Sequence, residues 1–499
     1  MTNIAEKEIK FNELEVKIYK FVCKIGCEIL KLILEMQDKK ICNERNKKRY
    51  RYVKRVPTTI KTIMGEVEHR HTIYYDREKK DTEKIKGEKK TVSLLKEMLK
   101  IKKFGLMSTN VAYIMKKAIT SLSYRKTSEL VMSITNLTIS SMGVWGIIQT
   151  YAEEIQNIEN ELIDKKDKEI LAQGTKDLKI LYTEADGVYF NVQGKDRKKL
   201  QSEYKKAHPE QEWNKFKKEL KVGIMYEENR AIGKQQRKEL VGKEVFAGVM
   251  DTKRLAKLMS TYTHIKYNKI ELVLQNADGL GWTNKKLFPN VRRQLDEYHI
   301  IEKINKKVCV EEDRIELIKM YQQEKFKEML EYIEQLKIEY SYEERECKKL
   351  DESKEYLSKN YTVLKRVYKD KELKKQLGVK TIDHMGHQES NNYATITKRF
   401  KHNRMSFSIK GANNLAVILA TENSERKESV YNAVNSSVLP ATILESVNEY
   451  IEKIEANVKE CKKKIKKQKE VYELPKGNLL NMGMFEREVE QKLKELLFG

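Results

Sequence analysis

The spacing of apolar residues changes several times along the chain, and each change marks a different kind of element. From about residue 9 to residue 37 apolar side chains recur every three or four positions, which predicts an amphipathic helix. Residues 58–76, "TTIKTIMGEVEHRHTIYYD", instead alternate on both sides of Gly65, and this pattern predicts a β-hairpin. The basic run "NKKRYRYVKR" directly precedes the hairpin, so the two are expected to lie side by side.

Helical spacing returns over residues 92–160. Residues 121–155 predict two amphipathic helices that are broken near Asn136, with Ser140 and Ser141 as candidate caps of the second helix. A short helix, a turn and a helix that starts with small polar residues are typical of a helix-turn-helix, which places its second helix in the major groove of DNA. An ordinary helical hairpin is the alternative interpretation.

Alternating apolar and polar residues dominate from about residue 178. Strands are predicted at residues 178–192, 219–226, 238–250, 269–275 and 291–297, with a helix near 251–263. Three consecutive strands, followed by a helix and a further strand, predict a mixed sheet.

The texture changes again after these strands. Residues 300–380 are almost wholly helical in pattern and predict a helical insertion. One stripe resembles a coiled-coil seam and consists of Phe326, Met329, Ile333, Leu336 and Tyr340. The pattern breaks over residues 375–400, where a polar loop is expected before another helix. Beyond it the chain is helical and basic, and the charged stretch "SERKES" is expected to be a solvated loop or helix face.

Two of the predicted strands carry an aspartate followed by glycine, although strands disfavour both residue types. Asp186 lies in "EADGVY" and Asp278 lies in "NADGLGW". An Asp-Gly pair is also a common turn, which is the alternative interpretation of each. On adjacent strands the two carboxylates would hold Mg²⁺, a hard ion that takes oxygen ligands, and a pair of such ions serves phosphoryl transfer.

That chemistry needs a third carboxylate. The candidate is Glu389 in "HQESNN", because it follows the helical insertion and starts a helix that would lie beside the sheet. Glu425 and Glu428, in "SERKES", are rivals. His384 and His387 are interpreted as part of a polar loop and not as a zinc pair, since two further Cys or His ligands are missing.

The composition indicates a polyanionic partner and an intracellular location. The 499 residues carry a net charge of +25, spread over several basic runs. A surface of this kind fits nucleic acid, because lysine and arginine placed on phosphates release counterions; lysines that merely solubilise the protein are the alternative. The six cysteines form no Cys-x-x-Cys pair, and no signal peptide or long apolar run is present. We therefore expect a reduced, intracellular protein with no membrane partner.

The ordered motifs carry a family resemblance. "EADGVY", "NADGLGW", "QLDEYHI", a helical insertion and "HQESNN" together resemble bacterial insertion-sequence DDE transposases of the Mutator-like group. "RYRYVKRVPTTIKTIMGEVEHRHTIYYD" and "SYRKTSELV" resemble one bacterial family within that group, long described as uncharacterised. The resemblance runs from about residue 40 to about residue 420. It implies a mixed α and α/β fold, in which an RNase H-like catalytic domain is interrupted by an all-helical insertion and preceded by a helical and β-hairpin DNA-binding region.

The resemblance assigns roles to residues of this chain. The catalytic triad falls on Asp186, Asp278 and Glu389, which would also hold Mg²⁺, with Mn²⁺ as a substitute. An acidic residue followed after two positions by histidine falls on Asp296 and His299, and this pair would shape the site. DNA-binding residues are expected in the N-terminal region, namely Arg51, Lys54, Arg55, Arg125, Lys126, Ser140 and Ser141.

The expected organisation has six parts. They are an N-terminal helix and basic hairpin region (1–90), a helix-turn-helix DNA-binding domain (91–175), the first part of the RNase H-like core (176–300), the helical insertion (301–380), the second part of the core with the third carboxylate (381–425) and a basic helical C-terminal region (426–499).

The function implied by the resemblance is DNA transposition. Two Mg²⁺ ions would activate water to nick the ends of the element and would then align the freed 3′-hydroxyl on a target phosphate, with no covalent protein–DNA intermediate. The expected partners are terminal inverted repeats, target DNA and further copies of the chain, in a dimer or larger assembly on DNA in the bacterial cytoplasm at the nucleoid. Two alternatives stay open: a non-catalytic DNA-binding protein derived from a transposase, and an RNase H-like nuclease without strand transfer.

Overall fold

The computed structural model describes most of the chain. The described residues are 10–78, 91–99, 107–210, 216–232, 237–279, 281–283, 285–401, 405–434 and a few positions between 448 and 460. Contacts divide the chain into two compact units, Met1–Ser437 and Val438–Gly499. Within the described part, no helix has both the length and the apolar character that crossing a bilayer requires. The six-part organisation stays a prediction, and most of its C-terminal region lies outside the described residues.

The first described elements are a long helix and a small sheet. They are α1 (Phe11–Glu44), β1 (Tyr50–Thr62), β2 (Gly65–Asp76), β3 (Thr91–Val92) and α2 (Leu94–Leu99). β2 pairs antiparallel with both β1 and β3, so the predicted helix and hairpin are confirmed. β1 starts earlier than predicted because the basic run itself, from Tyr50 onward, pairs with the end of β2.

Two histidines lie on the buried face of β2. The side chains of His69 and His71 are 1% and 0% exposed, and Nδ1 of His71 lies 2.9 Å from the Ser93 hydroxyl. Burial, assisted by the charge of Lys96, lowers the pKa of His71 from 6.5 to about 4. Burial lowers the pKa of His69 as well. The hairpin is therefore built around two neutral imidazoles.

Acid should destabilise the hairpin through His71. The unfolded chain binds a proton at His71 below about pH 6.5, whereas the folded protein binds it only below about pH 4. The contribution of neutral His71 to the free energy of unfolding is therefore complete above pH 6.5 and is lost as the pH falls toward 4. We expect the free energy of unfolding to fall by on the order of 1–3 kcal/mol across this window, and the fall to be shallower in His71→Phe. Thermal unfolding measured across the window tests this, with the exposed His208→Phe as the matched control. An equally steep fall in His71→Phe would contradict the prediction.

Three helices follow the small sheet. They are α3 (Thr109–Ile119), α4 (Tyr124–Ile134) and α5 (Ser141–Asp167). A serine hydroxyl caps the start of each helix: Ser108, Ser123 and Ser140 accept hydrogen bonds from the backbone N–H groups of Val111, Lys126 and Gly143, respectively. The predicted pair of helices with a break near Asn136 is confirmed as α4 and α5. Ser141, at the start of α5, is exposed, and its contact with DNA stays a prediction.

The central sheet is mixed, as predicted. The elements of this part of the chain are β4 (Lys176–Val192), α6 (Gly194–Ala207), β5 (Lys217–Tyr226), β6 (Glu228–Ile232), β7 (Arg237–Val241), β8 (Glu244–Gly248), α7 (Thr252–Lys266), β9 (Tyr267–Ala277) and β10 (Val291–Leu295). The strand order in space is β10-β9-β4-β5-β8. β4 pairs antiparallel with β5, and β5 with β8. β9 is parallel to β4, and β10 is parallel to β9.

The prediction of one strand over residues 238–250 is wrong. Two strands, β7 and β8, lie there, and the chain turns between them at Gly242, whose φ of +67° suits glycine. β7 pairs with β6 in a separate hairpin, which the sequence pattern did not indicate. Gly242, Lys243 and Glu244 separate the apolar residues on the two sides of this turn, and this interruption was the local signal of it.

A helical segment follows β10, and its helical character was predicted. The helices are α8 (Glu297–Lys307), α9 (Glu311–Gln322), α10 (Phe326–Glu339), α11 (Glu344–Lys359) and α12 (Lys371–Leu377). The predicted stripe on α10 is confirmed at its centre, since Met329, Ile333 and Leu336 are buried. These three side chains pack with Leu317 of α9 and Leu357 of α11 in a core of their own.

The chain then returns to the sheet. The remaining elements are α13 (Gln388–Asn392), α14 (Lys398–Phe400), β11 (Ser406–Phe407), α15 (Ile409–Glu422) and α16 (Lys427–Val434). α13 continues into α14 through a π-helical turn, a feature that is frequent at functional sites. β11 pairs parallel with the end of β4. The predicted loop followed by a helix is confirmed in this region.

Apolar side chains cover both faces of the sheet. On one face Val188 of β4 packs in a core with Ile148 of α5 and Leu415 of α15. On the other face Leu181 of β4 packs with residues of α7 that include Leu255. A sheet covered on both faces holds its strands rigidly, which suits a site at the ends of those strands.

Most of the stretch "SERKES" is exposed, as expected, at Glu425, Lys427, Glu428 and Ser429, but Arg426 is an exception. Arg426 is only 7% exposed. Its guanidinium lies 2.9 Å from the carboxylate of Glu244 on β8 and 3.8 Å from that of Glu159 on α5. The local charge pattern did not predict the burial of Arg426, because the carboxylates that pair with it come from distant parts of the sequence.

Candidate active site

The two Asp-Gly motifs meet through the register of two neighbouring strands. β4 and β9 are parallel, and Ala185 of β4 lies opposite Ala277 of β9. Asp186 and Asp278 each come one residue later, so they occupy neighbouring positions at the same edge of the pairing. Parallel strands place equivalent ends together, which is why two motifs separated by many residues in sequence share one site.

Asp186 is partly buried and lies close to two other carboxylates. It accepts hydrogen bonds from the backbone N–H of Gly187 (2.6 Å) and from Nδ2 of Asn392 (2.7 Å). Burial raises the pKa of Asp186 to about 6, and the charges of Asp278 and Glu389 contribute to the rise. The other two carboxylates of the predicted triad therefore both act electrostatically on Asp186 in the folded protein.

Asp278 ends β9 where the chain turns away. The Thr283 hydroxyl donates to its carboxylate, and the Tyr356 hydroxyl of α11 donates to its backbone carbonyl at 2.6 Å. The next residue, Gly279, has a φ of +76°, and a Cβ there would lie 2.4 Å from the side chain of Leu295. Asp278 is thus both a turn residue and a residue of the site, and the helical segment supports it directly.

Glu389 lies on the first turn of α13 and is exposed. Asn392, one turn later on the same helix, donates to Asp186, so this helix packs against the strand that carries Asp186. The charge of Glu389 reaches Asp186 and helps to raise its pKa. The structure thus places the third predicted carboxylate within electrostatic range of Asp186.

The rival Glu425 lies elsewhere. Its carboxylate is 3.0 Å from Nζ of Lys266, and Lys266 also contacts Glu227. Glu227 in turn pairs with Lys176, the first residue of β4. Asp186 lies ten residues further along that strand, at about 3.3 Å per residue, so Glu425 is at the opposite end of the sheet.

The predicted Asp296–His299 pair faces the same site. Asp296 accepts a hydrogen bond from Asn276 at 2.8 Å, and its other oxygen lies 2.7 Å from Nδ1 of His299. Burial alone would lower the pKa of His299, but its hydrogen bond to Asp296 and the charges of Asp296, Asp186 and Asp278 raise it above its ordinary value. His299 therefore faces the carboxylates as a group that readily carries a positive charge.

A tryptophan and two charged residues of β5 contact one another beside Asp186. Nε1 of Trp282 donates to Glu219 at 2.9 Å, and Nζ of Lys221 lies 3.8 Å from the centre of the Trp282 ring. A Cβ on Gly187 would lie 2.1 Å from the Glu219 carboxylate. Gly187, in the middle of β4, thus leaves room for the Glu219 side chain, which accepts the hydrogen bond from Trp282.

No closed metal site is present among the residues that the structure describes. In that part of the chain, no group of three or more His, Cys, Asp or Glu side chains is arranged to hold a metal ion. His384 lies 3.2 Å from Glu297, and His387 lies 2.7 Å from Asn229, which agrees with their interpretation as loop residues. Asp186, Asp278 and Glu389 supply oxygen donors only, the kind that hard cations such as Mg²⁺ prefer.

The residues predicted to bind DNA are spread over the N-terminal region. Arg51 and Lys54 are exposed on β1. Arg55 lies 3.7 Å from Glu35 and is therefore partly used within the protein. Among the others, Lys126 and Ser141 are exposed, Arg125 pairs with Glu129, and Ser140 caps α5. Contact between these residues and DNA stays a prediction.

Sequence analysis missed the polar residues beneath the carboxylates. Glu184 precedes Asp186 by two positions and Asn276 precedes Asp278 by two positions, so each shares a strand face with its aspartate. Both are almost completely buried. Their presence on apolar strands was the available signal, but the sequence does not show their partners: Asn276 donates to Asp296, and Glu184 accepts from backbone N–H groups just before α13.

Comparisons with known proteins give a family and distant structural likenesses, including one to a transposase complex. A family model described as "Uncharacterised protein family (UPF0236)" matches residues 4–435. No curated protein matches the chain. Among solved structures, the Drosophila P element transposase strand transfer complex aligns with 66% of this chain and 81% of its own chain, at 12% identity and a TM-score of 0.23. A superposition this weak does not establish a shared fold.

Proposed function

Since the chain belongs to the uncharacterised protein family UPF0236, we propose its function from the site itself: a DNA transposase that cleaves DNA and joins strands by metal-dependent phosphoryl transfer. One observation carries the proposal. The β4–β9 register sets Asp186 beside Asp278, and Glu389 acts electrostatically on Asp186 from a helix that returns to the sheet after a long helical segment.

The strand order supports an RNase H-like core. Three successive strands of the sheet, β4, β5 and β8, pair antiparallel, and β9 and β10 then add in parallel on the other side of β4. Helices α8 to α12 separate these strands from α13. This order agrees with the catalytic domain interrupted by a helical insertion that the motif resemblance implies.

The residues fit a hard divalent cation. All three side chains are carboxylates, and burial, with a smaller contribution from the charges of Asp278 and Glu389, raises the pKa of Asp186, so a cation would lower the electrostatic cost of keeping Asp186 ionised. Asp186, Asp278 and Glu389 would hold Mg²⁺ or Mn²⁺, which usually keep several waters and bind substrate phosphates alongside one or two carboxylates. When bound, such ions activate an attacking oxygen and stabilise the leaving oxygen of a phosphodiester.

The other residues of the site would position DNA around this centre. His299, held by Asp296, presents a positively charged ring that suits a phosphate oxygen. Lys221 and Trp282 stand beside Asp186 and offer a cation and an aromatic face to a nucleotide. The net charge of +25 would attract the DNA backbone over a wider surface.

A strand-transfer assay tests the proposal. Purified full-length protein is given labelled DNA that carries the inverted repeats flanking its gene, together with Mg²⁺, Mn²⁺ or EDTA. We expect cleavage at the repeat ends and joining to target DNA with either metal, and no product with EDTA. Cleavage without joining would favour a nuclease, and tight binding without cleavage under any metal would leave a DNA-binding protein; either outcome would overturn the proposal.

A further inference from the structure

Glu184 is a carboxylate in the middle of the apolar strand β4, and it takes no part in the proposed phosphoryl transfer. Its side chain is completely buried, with 0% exposure. It accepts a hydrogen bond from the hydroxyl of Tyr226 on the neighbouring strand β5 at 2.8 Å. It also accepts one from Nδ2 of Asn276 on the other neighbouring strand, β9, at 3.2 Å. Glu184 thus joins the three central strands of the sheet at the level of the site.

The remaining partners of Glu184 come from the segment that leads into α13. Three consecutive backbone N–H groups donate to its carboxylate, from Gly386 and His387 at 3.1 Å and from Gln388 at 3.3 Å. Every partner is a donor, which matches a carboxylate that only accepts. Glu389 is the next residue, so the carboxylate holds the backbone directly before the third member of the site.

The geometry of Gly386 shows how closely this segment approaches. Its φ is +106°, and a Cβ there would lie 3.3 Å from Oδ1 of Asp296. The same oxygen of Asp296 accepts from Asn276, which also donates to Glu184. One buried network therefore connects β4, β9, the Asp296–His299 pair and the start of α13.

We infer that Glu184 is a positioning residue that fixes the Glu389-bearing helix to the strands carrying Asp186 and Asp278. The inference rests on the proposed function for the catalytic importance of Glu389, but the anchoring itself is a property of the fold. Without this anchor, the five donors lose their common acceptor and α13 loses its connection to the strand edge. Glu389 then samples positions away from the other two carboxylates.

The test uses Glu184→Gln in the full chain, because glutamine keeps the volume but turns one acceptor into a donor that faces other donors. Glu227→Gln is the matched control. Glu227 is a carboxylate directly after β5 whose side chain is 8% exposed; it accepts from the Tyr267 hydroxyl at 2.9 Å and pairs with Lys176 and Lys266 near the first residues of β4 and β9. Amide hydrogen exchange over residues 385–392 is measured in both variants, together with DNA affinity and the cleavage rate at saturating DNA and metal.

We expect exchange over residues 385–392 to accelerate at least about tenfold in Glu184→Gln and to stay unchanged in Glu227→Gln. The cleavage rate should fall by about 100-fold, with DNA affinity within about twofold of wild type, since small displacements of catalytic groups have effects of this size. If Glu184→Gln does not fold, Tyr226→Phe removes one donor and should produce a smaller change in the same direction.

Two results would overturn the inference: unchanged exchange at 385–392 in a folded Glu184→Gln, or equal acceleration in Glu227→Gln. An inactive wild-type protein would refute the proposed function separately, because the exchange measurement does not depend on activity.

Discussion

Asp186→Asn is expected to reduce strand cleavage by at least about a thousandfold while leaving the thermal stability at neutral pH equal to or above that of wild type. The loss follows from the removal of a charged oxygen ligand at the point where Asp186, Asp278 and Glu389 act on one another. Asparagine keeps the shape of the side chain and one carbonyl oxygen, which can still accept from the Gly187 N–H. The Asn392 amide can turn so that its oxygen accepts from the new side chain.

The expected thermal stability of Asp186→Asn follows from the sign of the pKa shift of Asp186. The folded pKa of Asp186, about 6, lies above the ordinary value of 3.8, so the folded state favours the protonated carboxyl. The stability that this group contributes is present at low pH and is lost as the pH rises from 3.8 through about 6. Asparagine resembles the protonated form, and at neutral pH it removes the cost of burying a charge, together with the smaller repulsion from Asp278 and Glu389. Sites that hold like charges close together commonly sacrifice stability in this way.

Mg²⁺ provides a second measurement. A cation that binds the folded protein raises its melting temperature by mass action, so wild type should gain stability with Mg²⁺ and Asp186→Asn should gain much less. Asp278→Asn should behave in the same way, and Glu425→Gln, at the opposite end of the sheet, should match wild type in activity. An Asp186→Asn variant that still cleaves would contradict the prediction. An inactive variant with a lowered melting temperature would show a structural role in place of a catalytic one.

Local sequence patterns predicted the elements of the site but not their contacts. The alternation around Asp186 and the apolar run before Asp278 were enough to place both on strands, because strand periodicity is a local property. The break after the helical segment likewise placed Glu389 at the start of a helix. That Ala185 lies opposite Ala277 depends on tertiary pairing, which no single motif encodes.

The burial of two charged residues, Glu184 and Arg426, was not predicted from the sequence. Glu184 is stabilised by backbone N–H groups from residues 386–388, and a sequence shows no donor of that kind. Arg426 lies in a stretch whose composition predicts exposure, since arginine and glutamate are seldom buried unless paired. In both cases the compensating group comes from a distant part of the chain, so the local rule fails where long-range electrostatics replaces hydration.

Arg426→Met is expected to have the largest effect on stability of any single change considered, a loss of about 3–5 kcal/mol. Arg426, Glu244 and Glu159 are 7%, 4% and 5% exposed. The guanidinium lies 2.9 Å from Glu244, donates to the carbonyl of Val245 at 2.9 Å and stacks on the Phe246 ring. Methionine fills part of the space, but it leaves two buried carboxylates without a cation.

The pH dependence separates this explanation from a simple loss of packing. Burial already raises the pKa of Glu244 and of Glu159, and the charge of Arg426 opposes the rise. Without Arg426 both folded pKa values rise further, so the folded state binds more protons and Arg426→Met should regain stability as the pH falls. A variant that also carries Glu244→Gln and Glu159→Gln should recover much of the loss at neutral pH, because neutral groups need no counter-charge.

Chemical denaturation with the neighbouring, exposed Lys427→Met as control provides the measurement, and the control should stay within about 0.5 kcal/mol of wild type. A loss below about 1 kcal/mol in Arg426→Met, or a loss that grows in acid, would show that the two carboxylates do not depend on this arginine. The expected result would instead identify Arg426 as the residue that joins β8, α5 and the start of α16. The sheet that carries Asp186 and Asp278 would then depend, at its far edge, on a charge that the sequence pattern assigns to solvent.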